Sequence, residues 1–115
     1  MPLKMTERTV DGISVLDLEG RIVLGEESSA LRERVKNLLG QDHKKIVLNM
    51  GNVSYIDSAG LGALVASYTS AKNQGAILKL VNLGSKFREV LQVTKLLTVF
   101  EVYDTEQAAI SSFPK

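Results

Sequence analysis

Lys45-Ile46-Val47-Leu48-Asn49-Met50-Gly51-Asn52-Val53-Ser54-Tyr55-Ile56-Asp57-Ser58-Ala59-Gly60-Leu61-Gly62-Ala63-Leu64 is the stretch on which the fold turns. Its run Ile46-Val47-Leu48 follows the polar Gln41 to Lys45 and reads as a buried strand. From Ser58 to Asn73 the apolar period changes. Leu61, Leu64, Val65 and Tyr68 make one helical stripe, and Gly75 punctuates its end. Leu61 and Leu64 are therefore expected in the core, whereas Tyr55 suits either a packed or an exposed position. A buried strand passing into a helix is the repeating unit of parallel α/β sheets.

The flanks extend the pattern. Upstream, Met5 to Val10 and Ile13 to Leu18 read as two strands joined by Asp11-Gly12, a dipeptide that supplies the positive φ angles of a tight hairpin. Ile13, Val15 and Asp17 point one way, and Ser14, Leu16 and Leu18 the other, so this strand is expected to be covered on part of both faces. Gly20 is expected to end it. Leu31, Val35, Leu38 and Leu39 follow a helical spacing, with Glu26 and Glu27 in the first turn, Ser28 or Ser29 as cap and Gly40 as stop. Arg32, Glu33, Arg34 and Lys36 read as the solvated face of that helix. Downstream come a strand at Ile77 to Val81, a helix capped by Ser85 with Phe87, Val90, Leu91 and Thr94 on one side, and a strand at Val99 to Tyr103. A last helix, capped by Asp104 or Thr105, runs through Ser112. The order β-β-α-β-α-β-α-β-α predicts one α/β domain over 1–115: a mixed, largely parallel sheet with an N-terminal hairpin and about four helices.

Composition narrows the chemistry. The 115 residues contain no cysteine, which removes disulfides, thiolate metal sites and a thiol nucleophile. Fourteen basic and 13 acidic residues give a formal net charge of +1, so no overall positive field recruits nucleic acid or an anionic membrane. The single histidine, His43, leaves little material for a metal site or a histidine relay and reads as an exposed turn residue. No apolar run approaches the ~20 residues needed to cross a bilayer. Residues 1–8 carry an acid and no long apolar segment, unlike a signal peptide. The expected address is the cytoplasm and the expected state a monomer, with no cofactor or metal.

One segment asks for more than packing. Asp57 and Ser58 can cap the helix at the carboxyl end of the central strand, where sites gather in parallel sheets and where helix N–H groups are free. Gly60 and Gly62 in its first turns cost roughly 0.5–1 kcal/mol each against alanine, as if close approach by another backbone were useful there. Capping and tight packing account for these residues, and three functional readings compete with that account. A serine nucleophile lacks a nearby base and a Gly-x-Ser-x-Gly elbow. A P-loop is excluded because no Lys-Ser/Thr pair follows the glycines. The same phosphate-cradling reading in another form, a small nucleotide-binding protein using Gly60 and Gly62, would need a lysine or paired acids; absence of a melting shift with ATP or GTP would remove it. The third reading makes Ser58 a modifiable hydroxyl on a protein-docking surface.

Ile46-Val47-Leu48-Asn49-Met50 followed by Val53 to Leu64, with Asp57-Ser58-Ala59-Gly60-Leu61-Gly62 at its centre, resembles the signature of STAS-domain anti-anti-sigma factors. The resemblance runs from about Met5 to Ser112. It implies a bacterial, non-enzymatic partner-switching protein. Unphosphorylated, such a protein binds an anti-sigma factor that is also a serine kinase, and so frees a sigma factor. Phosphorylation at the position of Ser58 ends the binding, and a serine phosphatase restores it. The docking surface is expected to comprise Tyr55, Asp57, Ser58, Ala59, Gly60 and Gly62, with Leu24, Gly25 and Glu26 from the earlier loop. Two positions depart from the common family pattern: Val23 stands where many members have an acid, and Asn49 where many have aspartate. A STAS scaffold or adaptor of another assembly, such as a lipid-transport or stressosome-like complex, is the alternative within the same resemblance.

Overall fold

Asp11 and Gly12 both take positive φ (53° and 79°), the geometry that lets β1 (Lys4–Val10) turn straight back into β2 (Ile13–Ile22) with Val10 opposite Ile13. The computed structural model describes residues 3–114, so Met1, Pro2 and Lys115 at the ends of the expected domain lie outside the described residues. Beyond the hairpin follow α1 (Glu26–Gly40), β3 (Lys45–Ile56), α2 (Ser58–Asn73), β4 (Ile77–Val81), α3 (Ser85–Val93), a 3-10 turn at Leu96–Thr98, β5 (Glu101–Tyr103) and α4 (Glu106–Ser112). The sheet has the spatial order β1-β2-β3-β4-β5, and every pair after the antiparallel hairpin is parallel. The α/β class, the hairpin and the four helices are as expected.

Period-2 alternation in the strands divides the core between two faces. Leu16, Leu18 and Ile22 of β2 join Ile46 and Leu48 of β3 under Leu31, Val35 and Leu38 of α1, Leu64 of α2 and Leu91 of α3. Ile13, Val15 and Val47 turn to the opposite face, where Val81, Ala109 and Phe113 cover them. Each of these buried side chains larger than alanine contributes about 1.5–3 kcal/mol against exposure. Lys79 is also buried on this second face. Its Nζ donates to Ser112 Oγ at 2.5 Å and lies 4.3 Å from the Phe113 ring centroid, which ties down the end of α4.

Polar groups knit the same face together. Arg8 Nε and Nη2 donate to the two Asp17 carboxylate oxygens (2.5 and 2.9 Å), and Nη2 also reaches Glu106 of α4 at 2.6 Å. Asn49 Nδ2 donates to Asp17 Oδ1 at 2.8 Å, while its Oδ1 accepts from Asn82 and from the Gly51 N–H. The Arg8 hydrogen bond above all, with help from Asn49, holds the Asp17 carboxyl below the usual carboxylate range. Asparagine at position 49 thus has a physical reason: an ionised aspartate there would face Asp17 as a like charge and could not donate to it.

Several local expectations are corrected. Gly20 does not end β2, because the strand continues in parallel pairing with β3 as far as Ile22 opposite Ile56. The central strand extends well beyond Ile46-Val47-Leu48, and two register shifts against β2 mark bulges in its polar second half. Gly25 and Gly84, rather than Ser28, Ser29 or Ser85, precede α1 and α3, and neither provides a side-chain cap. Ser28 instead donates its hydroxyl back to the Val23 carbonyl at 2.6 Å. Val99 falls outside the last strand and Thr94 is exposed past the end of α3. His43 is half-buried rather than an exposed turn residue, with Nδ1 2.6 Å from Ser14 Oγ. Thr105 caps α4 by accepting from the Ala108 N–H.

Candidate functional site

Parallel pairing of β2 and β3 brings their carboxyl ends, and hence the starts of α1 and α2, to one edge of the sheet. Asp57 joins the two. Its extended backbone lets the side chain cap α2, Oδ1 accepting from Gly60 N–H at 2.8 Å. Its other oxygen accepts from the Leu24 N–H at 3.0 Å, and its own N–H donates to the Ile22 carbonyl. One carboxylate therefore both starts the helix and latches the β2–α1 loop beside it. These backbone hydrogen bonds, Gly60 first and Leu24 second, hold Asp57 below the usual carboxylate range, so it is ionised at neutral pH.

The latch has a checkable pH dependence. Because the folded carboxyl titrates below its unfolded value of about 4, the stabilisation is present above that pH and is lost as pH falls through the depressed value. Asp57→Ala is expected to speed amide exchange at Leu24 and Gly60 at neutral pH while leaving β3 core amides such as that of Val47 unchanged. Acidification of the wild type should converge on the same pattern. Equal protection of Leu24 in both proteins would show that the latch is idle.

Ser58, the first residue of α2, is exposed, and Ala59 beside it is half-buried. Leu24 (78% exposed) and Gly25 stand on the neighbouring loop with Glu26 at the start of α1, and Tyr55 (56% exposed) stands at the end of β3 opposite Arg21. The two loops expected to meet are therefore adjacent. Gly60 departs from the expected surface because it is buried. A Cβ there would overlap the Ile22 carbonyl oxygen and approach Ile56 Cγ1 to 2.8 Å, so the close neighbour is the chain's own β2 end. Gly62 is different, since a Cβ would meet only Arg32 Nη2, at 3.9 Å. Leu64 is fully buried and Leu61 packs partly against the same core, as the helical stripe predicted.

A groove of about 330 Å³ adjoins this edge, with Met50, Val53 and Tyr55 on one wall and Lys86, Phe87 and Val90 on the other. It exists because β4 ends at Val81, opposite Asn49, while β3 continues to Ile56. Helical periodicity alone assigns Val90 to the packed side of α3, yet it remains 39% exposed because no strand lies beneath it to bury it. The strand lengths that create the groove are set by pairing and leave no local signal.

The Ser14–His43 contact offers Ser58 no base. His43 precedes β3 and Ser58 follows it, so the length of that strand separates them, roughly 30 Å or more at 3.3 Å per residue. Ser14 itself is buried. Among the described residues no group of three or more acidic or histidine side chains could hold a metal ion, and no helix is long and apolar enough to cross a membrane.

A five-stranded mixed sheet whose central strand delivers the half-buried Asp57 and the exposed Ser58 to a helix start is the frame of this α/β domain. The sequence matches the STAS domain over residues 4–109, and the chain belongs to that family. The anti-sigma-B factor antagonist of Bacillus subtilis is 33% identical over 72 residues, covering 63% of this chain and 65% of that protein. The anti-sigma-B factor antagonist of Listeria monocytogenes is 29% identical over 108 residues, covering 90% of each. Among solved structures, the anti-sigma factor antagonist SpoIIAA in its unphosphorylated form shares the fold with a TM-score of 0.72 at 21% identity, over 94% of this chain and 96% of that one. SpoIIAA from Bacillus in the phosphorylated form superposes equally well, with a TM-score of 0.71 at 20% identity over 95% and 96% of the two chains.

Proposed function

We propose that this chain is an anti-sigma factor antagonist switched by phosphorylation at Ser58. Unphosphorylated, it binds an anti-sigma factor that is also a serine kinase, and a sigma factor is released. Phosphate on Ser58 ends that binding, and a serine phosphatase restores it. The chain works as a single, monomeric STAS domain in the cytoplasm, as a substrate of the kinase and not as an enzyme. The observation that carries this reading is the exposed Ser58 at the start of α2, held beside Leu24, Gly25 and Glu26 by the Asp57 latch. The relatives named as anti-sigma factor antagonists support it from a second direction.

The physical consequences are local. A phosphate adds about −1.5 to −2 charge and three acceptor oxygens. At a helix N-terminus that charge is favoured by about 0.3–1 kcal/mol, so the fold survives and the effect is felt by whatever docks there. Gly60 supports the surface from beneath, while Tyr55, Asp57, Ser58, Ala59, Gly62, Leu24, Gly25 and Glu26 form the contact region. The test is intact mass and peptide mapping of the protein purified from its own cells, with and without phosphatase treatment. A removable phosphate on the Ser58 peptide is expected. An unmodified Ser58 across growth and stress conditions would replace this reading with a constitutive STAS scaffold.

A further inference from the structure

We propose that Arg32 of α1 is the cation that receives a phosphate on Ser58, making a phosphomonoester site across the seam between α1 and α2. The inference rests on Ser58 being phosphorylated, as proposed above, and adds where the phosphate goes. Ser58 and Gly62 are four residues apart on α2 and so share a face, about 6 Å apart. At Gly62 the nearest group a Cβ would meet is Arg32 Nη2, 3.9 Å away. The guanidinium thus lies against the bare backbone of α2 one turn from Ser58.

Direction favours the contact too. Both helices start at the same edge of the sheet, joined by the hydrogen bond from Leu24 to Asp57. Side chains on a helix lean toward its N-terminus, so Arg32 leans toward the level of Ser58. Arg32 is exposed and makes no ion pair among the described residues, unlike Arg8 and Arg88. Its planar fork of donors matches a phosphate bidentately. The other charges at this edge are Asp57 beside the serine, Glu26 and Glu27 in the first turn of α1, and two cations, Arg21 near Tyr55 and Lys86 across the groove. Arg32 supplies a cation to an edge that carries three carboxylates. A phosphate drawn toward Gly62 and Arg32 changes the shape of the docking surface as well as its charge.

Phosphoserine installed at position 58 during translation allows a test that needs no kinase. The ³¹P titration midpoint of the wild type is expected to lie about half a unit below that of Arg32→Gln at low ionic strength, and the gap should close in high salt. Arg21→Gln should shift the midpoint less than Arg32→Gln. Coincident low-salt midpoints for wild type and Arg32→Gln, or a larger shift from Arg21→Gln, would overturn the proposal. In the wild type, with no substitution, the Arg32 guanidinium resonances should move with the phosphate titration; an unmoved signal overturns it equally. A phosphoprotein that kept its partner would instead count against the switch and leave the Arg32 contact standing.

Discussion

Gly60→Ala is expected to cost about 3 kcal/mol or more and to lower the melting temperature by roughly 10 °C or more in calorimetry. The added methyl would overlap a backbone carbonyl, that of Ile22, and press on Ile56. Neither neighbour is the free end of a flexible side chain, so relief requires β2 and α2 to separate. That separation would also break the hydrogen bond from Asp57 N–H to the Ile22 carbonyl and loosen the Leu24 latch. Gly62→Ala, two residues on in the same helix, is the internal control. Its Cβ meets no atom closer than 3.9 Å, so the helix-propensity gain of up to about 1 kcal/mol should appear as a rise of a few degrees. Equal melting temperatures for the two variants would sink the account of why α2 begins with two glycines.

Ser58→Glu should leave melting nearly unchanged and weaken anti-sigma factor binding by about 100-fold or more, while Ser58→Ala binds in every condition. Ser58 is exposed at the start of α2, where a negative charge is tolerated or favoured by the helix, so the folded state has little to lose. The partner loses much more. A like charge forced into a desolvated contact costs several kcal/mol, and each 1.4 kcal/mol is a factor of ten in affinity. Calorimetric titration against the partner, with thermal melts alongside, separates the two effects. Unfolding of Ser58→Glu would make the serine a structural cap and remove it as a switch. Undiminished binding would move the docking surface away from this edge.

Local chemistry alone specified much of this protein. Asp11-Gly12 announces the hairpin, the Leu31-Val35-Leu38 and Leu61-Leu64 stripes announce the helices, and Ile46-Val47-Leu48 announces a strand buried on both faces. These signals are legible because side-chain period and turn chemistry are properties of neighbouring residues. The same holds for Asp57 as a cap and Ser58 as the residue after it. Pairing decided the rest. The second half of β3, Gly51 to Ile56, is too polar to read as a strand, and it becomes one because β2 runs alongside it. Its excess length over β4 opens the groove beside Val90. Gly60 looks like a residue awaiting a partner until the Ile22 carbonyl is found against it, and Arg32 looks merely solvated until α1 is laid beside Gly62. Asn49 acquires its role only where Asp17 and Asn82, from distant parts of the chain, converge on its two ends. Such contacts join residues 30 or more positions apart, and no short-range pattern carries them; packing the sheet and its helices brings them within hydrogen-bonding distance.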